Sequence, residues 1–169
     1  MTWEYLSTKP FDIRYQIAAD YFGDCSEEVI LDLNCGDPRF RKYVKCKKYY
    51  ANDINEQKNT KGMTFYQKPD TEIDMPCDIL CCFGYSGGEY TGEPQESATA
   101  TDSIVRIAKK HKPEHIVIEM VERWQNKYGA QSTFRRRLKN YEMVFVEKYR
   151  IKPARNFYNK RFITIWKRS

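Results

Sequence analysis

The chain has two histidines among 169 residues, no Cys-x-x-Cys pair, and no apolar run approaching the roughly 20 residues that span a bilayer. Each shortage excludes something. His111 and His115 do not combine with the cysteines in a zinc-ligand spacing, so no metal site is expected. The N-terminal "MTWEYLSTKPFDIRY" lacks the basic start, apolar stretch and small-residue cleavage site of a secretory leader. Cys25, Cys35, Cys46, Cys77, Cys81 and Cys82 therefore read as reduced, mostly buried thiols of a soluble cytoplasmic protein. Repeats and low-complexity stretches are also missing, and the length suits one domain over 1–169, with an N-terminal segment and helix at 1–23 and a core at 24–169.

What is present is a packable composition, 41% hydrophobic and 15% aromatic, with charge distributed unevenly. Residues 1–50 carry 8 basic and 8 acidic side chains, residues 51–120 carry 7 and 12, and residues 121–169 carry 14 and 3. The last third is thus +11 while the middle is −5. Such asymmetry suggests a polyanionic partner for the C-terminal third, although a solvated basic face explains many such clusters.

Phe11, Tyr15, Ala18 and Phe22 recur at steps of four, three and four, one face of an amphipathic helix closed by Gly23. The spacing then predicts strand "EVILDLN", a helix from about Pro38 to Val44, strand "KYYAND", and a short polar helix "INEQKNT" ended by Gly62. Strands "MTFYQK" and "CDILCCF" follow, then a glycine-rich loop, a helix from about Glu96 to His111, strand "HIVIEM", and a mixed helix to about Lys139. Two alternating segments, "YEMVFVEKYRI" and "RFITIWK", close the chain as an antiparallel hairpin. Strands alternating with helices predict an α/β fold, a mostly parallel sheet covered by helices on both faces.

In open parallel sheets ligands bind beyond the carboxyl ends of the strands near the switch point, which directs attention to "VILDLNCGDPRF" at 29–40. Asp32 ends a buried strand, and Gly36 lets the backbone take a positive φ or admit a ligand closely. Free amides at a following helix start favour electron-rich groups. An ordinary strand-to-helix turn is the alternative.

This stretch resembles the first motif of the class I S-adenosylmethionine-dependent methyltransferases, Asp/Glu-x-Gly-x-Gly-x-Gly. Asp32 and Gly36 match; Asn34 replaces the first glycine and Pro38 the third. Asp53 in "YYANDIN", 21 residues after Asp32, resembles the family's acid for the cofactor ribose. Asp70 in "FYQKPDTEIDMP" matches the position that meets the adenine amino group, with Asp74 a competitor, and "CDILCCFGYSGG" resembles the motif after the fourth strand. The resemblance implies a three-layer Rossmann-like sandwich, a seven-stranded sheet with a C-terminal antiparallel hairpin, and S-adenosylmethionine as cofactor. It implies Asp32, Asn34, Gly36, Asp53, Ile54, Asp70 and Phe83 as cofactor-binding residues. Bland roles stand beside these: Asp32 as a charge at a helix N-terminus, Asp53 as an N-cap for "INEQ", Asp70 as a turn former after Pro69.

Methyl transfer from a sulfonium is an in-line displacement that asks the protein mainly for alignment and exclusion of water. There is no Asn-Pro-Pro-Tyr motif of exocyclic-amine methylases, and Cys81 and Cys82 lie inside a strand rather than in a Pro-Cys loop. The loop "FGYSGGEYTGEPQES" offers Tyr85 as a ring or hydroxyl and Glu89 as a base, and Glu119 at the end of "HIVIEM" is a further candidate base. The basic "FRRRLKNY" and "RIKPARNFYNKRF" interleave cations with aromatics, the composition of an RNA or single-stranded DNA surface. The expected function is a methyltransferase acting on nucleic acid. The alternatives are a small-molecule or protein methyltransferase, or a non-catalytic scaffold if Asn34 and Pro38 narrow the cofactor turn. A homo-oligomer or partner subunit could complete substrate recognition.

Overall fold

Two central segments, "ILCCF" and "HIVIEM", are apolar at consecutive positions, so both of their faces need cover. The computed structural model describes residues 12–85, 95–122, 130–150 and 160–169, of which 84–85, 95–100, 121 and 130–131 are described by backbone alone. Its elements run α1 Ile13–Phe22, β1 Cys25–Asp32, β2 Cys46–Asp53, β3 Thr64–Gln67, β4 Ile79–Tyr85, α2 Gln95–His111, β5 His115–Val121, α3 Ala130–Arg137, β6 Tyr141–Arg150 and β7 Lys160–Arg168. The strands form one seven-stranded sheet in the order β3-β2-β1-β4-β5-β7-β6. The first five pair in parallel, and β7 lies antiparallel between β5 and β6.

Alternation along each strand divides the core in two. Leu80, Cys82, Ile116, Ile118 and Met120 face α2 and α3, meeting Ile104, Ile107, Phe134 and Leu138. Ile79, Cys81, Phe83 and Val117 face the other way, under α1 and Phe40. The α1 stripe buries Tyr15, Ala18 and Ala19, and Gly23 ends the helix at φ 64°, its N–H bonded to the Ala19 carbonyl at 2.9 Å.

Two expected helices do not form. The Pro38–Val44 stretch makes only a single 3-10 turn, Arg39–Lys42, although Phe40 and Val44 are buried as a helix face would be. The "INEQKNT" segment has no helix: its one apolar side chain, Ile54, is exposed, so helix formation there would bury nothing against the sheet. The mixed helix ends at Arg137 rather than Lys139. The turn joining β6 to β7 lies outside the described residues.

β7 holds the hairpin to the parallel sheet. Trp166 is fully buried between β5 and β6, its indole N–H bonded to Thr164 Oγ1 at 3.1 Å, and the Thr164 hydroxyl donates to the Ile118 carbonyl at 3.3 Å. Trp166→Ala should cost about 3–5 kcal/mol of unfolding free energy. Urea denaturation checks this, and a loss under about 1 kcal/mol would show that the hairpin contributes little to the core.

Candidate active site

The strand order changes direction between β1 and β4, and the residues singled out in the β1 turn collect at that edge. Asn34 has φ 52° and Gly36 φ 55°, so the turn needs two left-handed residues. Asparagine tolerates that region better than other side chains, which lets Asn34 stand where the resembling motif has glycine. A Cβ built on Gly36 would meet nothing within 4 Å, so the strand-end turn leaves open space beside its backbone.

A ring of hydrogen bonds fixes this turn. The Asn52 side chain, 0% exposed, accepts from the Asn34 N–H at 3.0 Å and donates to the Lys68 carbonyl at 2.9 Å, and the Asn52 carbonyl accepts from the Cys35 N–H at 2.9 Å. The Asn34 amide donates to Asp70 Oδ2 at 3.0 Å, and Gly36 N–H donates to Asp53 Oδ2 at 2.8 Å. Asp53 Oδ1 accepts from the N–H and side-chain amide of Asn55 at 2.9 and 3.1 Å, an Asx turn in place of the N-cap that was its alternative role. Asp53 therefore spends three acceptor positions of about four that a carboxylate offers. Arg106 donates to the Asp70 and Ile73 carbonyls at 3.0 and 2.8 Å, tying the segment after β3 to α2. Asn52 and Arg106 carried no signal in the sequence, because a polar residue inside a strand or helix stripe is normally read as solvent-facing.

Asn34, Gly36, Asp53 and Asp70 thus come together, with Ile54 next to Asp53 and 66% exposed; Asp32, at the end of β1, is outside this hydrogen-bond ring but near enough for the Asp53 charge to act on it. Phe83 does not join them. It is buried on the α1 side, 4.9 Å from the Tyr15 ring and 4.8 Å from Phe40, and is a core residue. The backbone of Tyr85 ends β4 opposite Met120, and Glu89 lies outside the described residues. Glu119 is not in an open crevice: it is 0% exposed, bonded to Arg161 through Nε and, at 3.0 Å, Nη2, and to the Tyr149 hydroxyl at 2.7 Å. Burial alone would raise its pKa, but the charge and hydrogen bonds of Arg161, with Arg14 behind them, hold it at about 2. So stable a carboxylate makes a poor proton acceptor, and Glu119 is corrected to a structural ion pair. Arg161 is correspondingly not part of a basic surface, since it too is buried.

Asp32 is 1% exposed, its Oδ2 accepting from the Tyr49 hydroxyl at 2.7 Å and its Oδ1 without a partner among the described residues. Burial pushes its pKa up to about 7; Asp53 adds to the rise, while the Tyr49 bond and the Arg14 charge oppose it. Among the described residues no cluster of three or more His, Cys, Asp or Glu is placed to hold a metal.

No family model and no curated protein matches the chain. Solved structures do. The N-methyltransferase NodS from Bradyrhizobium japonicum with bound S-adenosylhomocysteine is 14% identical, with a TM-score of 0.68 over 98% of this chain and 91% of that one. Magnesium protoporphyrin IX methyltransferase from Synechocystis with bound S-adenosylmethionine is 16% identical, with a TM-score of 0.62 over 95% and 83%. The 23S rRNA methyltransferase ErmE is 13% identical, with a TM-score of 0.61 over 92% and 67%. The chain has the fold of the S-adenosylmethionine-dependent methyltransferases.

Because Asp32 keeps its proton to a higher pH folded than unfolded, its contribution to stability is present below its ordinary range and lost as pH rises toward about 7. Asp32→Asn, which keeps the shape and an acceptor for Tyr49, should remove that loss. Relative to the variant, the wild type should lose on the order of 2–3 kcal/mol between about pH 5 and about pH 7.5. Urea unfolding of both proteins at the two pH values cancels other groups such as His115, and parallel pH profiles would refute a buried, protonated Asp32.

Proposed function

We propose that the protein is an S-adenosylmethionine-dependent methyltransferase. The observation that carries this is the interlocked turn at the ends of β1 and β2, in which left-handed Asn34 and Gly36 leave open space beside Asp53 and exposed Ile54. These residues fit the cofactor that the folds above bind. The Gly36 turn would take the amino-acid end, the remaining acceptor position of Asp53 a ribose hydroxyl, Ile54 an adenine face, and Asp70 the adenine amino group. When bound, the cofactor supplies a methyl group activated by a sulfonium. The chain's own part is to fix the donor on a rigid strand-end turn and to exclude water, with no need of a strong base. Tyr85 and Glu89, at and beyond the end of β4, are the candidates for contact with the acceptor, in line with the position of β4 beside the switch point.

For the acceptor we favour nucleic acid. Arg135 and Arg136 on α3, Lys139 after it, Lys148 and Arg150 on β6, and Lys160 on β7 are all exposed, in the third of the chain with 14 basic and 3 acidic residues. Arg155, Phe157 and Tyr158, expected to share this surface, lie outside the described residues. All six cysteines are unpaired and five are buried, which suits a cytoplasmic protein. No described helix is long and apolar enough to cross a membrane.

Calorimetric titration with S-adenosylmethionine and S-adenosylhomocysteine tests the donor. Asp53→Ala should weaken binding by about 1–3 kcal/mol with the fold intact. If neither ligand binds or raises the melting temperature at saturation, the scaffold reading replaces catalysis. For the acceptor, binding to RNA and single-stranded DNA should fall steeply with salt, and Arg135→Ala with Arg136→Ala should flatten that slope without changing donor affinity. Salt-independent binding would redirect the search to a protein or small molecule, followed by methyl-transfer assays on those classes.

A further inference from the structure

The segment from Arg39 to Lys68 carries nine basic side chains and two acidic ones, a concentration hidden by the balance over residues 1–50 and the acidic excess over 51–120. Its seven lysines are all exposed, and none forms a salt bridge among the described residues. Exposed lysines elsewhere have acidic partners: Lys110 meets Asp74, Lys148 meets Glu122 and Lys167 meets Glu114. Of the two acids in the segment, Asp53 is buried in the turn network and only Glu56 is exposed. The positive charge here is therefore left without compensation by the chain itself.

These cations surround the sheet edge made by β2 and β3, and the connections on either side of β2 carry no α-helix to cover it. Leu31 pairs with Tyr50, Tyr50 with Thr64, and Asn52 with Tyr66. Alternation therefore sets Lys48, Tyr50, Thr64 and Tyr66 on the face shared with Leu31 and α2. Lys48 and Thr64 are exposed there, while Tyr50 and Tyr66 are half-buried, their ring centroids 6.3 Å apart and their planes inclined by 38°. Lysine often guards an edge strand against pairing with another chain, but β3 itself is uncharged; the lysines stand on β2 and in the flanking loops. Unpaired cations attract phosphates, and partly open tyrosine rings accept stacked bases. A duplex keeps its bases stacked on one another, whereas a single strand offers them to side chains.

We propose that the β2–β3 edge is a binding surface for single-stranded nucleic acid, its lysines neutralising phosphates while Tyr50 and Tyr66 stack on bases. The inference rests on the nucleic-acid reading above and adds to it a second surface, at the sheet edge opposite the basic β6 and β7. Asp53 ends β2 and Asp70 follows β3, so a strand held here lies next to the candidate donor turn. With neighbouring strands about 4.8 Å apart, one reaching from β3 to β6 spans roughly 29 Å and crosses the switch point between β1 and β4.

The test is fluorescence anisotropy with a labelled single-stranded RNA of about 20 nucleotides, titrated across salt concentrations. Lys47→Ala, Lys48→Ala and Lys61→Ala combined should flatten the logarithmic salt slope by about 2, at about 0.7 for each lost phosphate contact on a single strand. The unfolding midpoint should stay at its wild-type value, since all three side chains are exposed. Tyr66→Leu keeps an apolar contact with the core and removes the ring; it should weaken RNA binding by about 5- to 100-fold with the slope unchanged. A wild-type slope in the lysine variant, or wild-type affinity in Tyr66→Leu, overturns the proposal, and the lysine variant alone decides if Tyr66→Leu fails to fold. A slope that responds to Arg135→Ala with Arg136→Ala but not to the lysine variant overturns this inference and leaves the nucleic-acid reading standing. If the wild type binds no RNA at low salt, that reading fails, and this inference with it.

Discussion

The carboxamide of Asn52 is the contact on which the candidate site depends. Buried at the end of β2, it accepts from the exit of β1 and donates to the exit of β3, while its backbone carbonyl holds Cys35. Parallel strands bond to their neighbours only along their lengths, so the peptide groups just beyond their ends lose their ladder partners. One buried amide satisfies those groups across three strands. With the Asn34 backbone held this way, the Asn34 side chain reaches Asp70 and the Gly36 N–H reaches Asp53. Asp53 and Asp70 are positioned as a consequence of the turn, while Asp32 is held separately by the Tyr49 hydroxyl.

That rigidity offsets an otherwise thin construction. The connections from β1 to β2 and from β2 to β3 have a single 3-10 turn and no α-helix, where a parallel crossover usually carries one. Side-chain hydrogen bonding takes over part of the work of the missing helices. On β5 the opposite solution is used: Glu119 is held between Arg161, Tyr149 and Arg14, joining β5, β6, β7 and α1 through charge and the Tyr149 hydrogen bond. Breaking such a buried set from one side is strongly destabilising, because it leaves a buried charge uncompensated.

Methyltransferase folds tolerate low sequence identity because their demands are topological, and the present chain illustrates which demands are strict. A left-handed residue is needed where the motif has its first glycine, and asparagine meets that demand at φ 52°. Pro38 in the third position precedes a 3-10 turn instead of the usual helix, and the open volume at Gly36 remains. The substitutions therefore change the helix after the turn more than the turn itself.

The parallel sheet, the α1 stripe and the terminal hairpin were legible in the sequence because each follows from a period: two for the strands, near 3.6 for the helix. Asp32 and Gly36 stood out because strand ends and turn residues have local signatures, whereas Asp53 and Asp70 were singled out only by the resemblance of the motifs around them. What the sequence did not reveal was orientation at a distance. Whether Phe83 faces a cofactor or Tyr15, whether Glu119 and Arg161 meet water or each other, and whether Asn52 is a surface residue or the pin of the site depend on which strands become neighbours. That was decided by tertiary structure alone, since the pairing of β5 with β7 brings together residues 42 positions apart and turns two candidate functional charges into one buried ion pair.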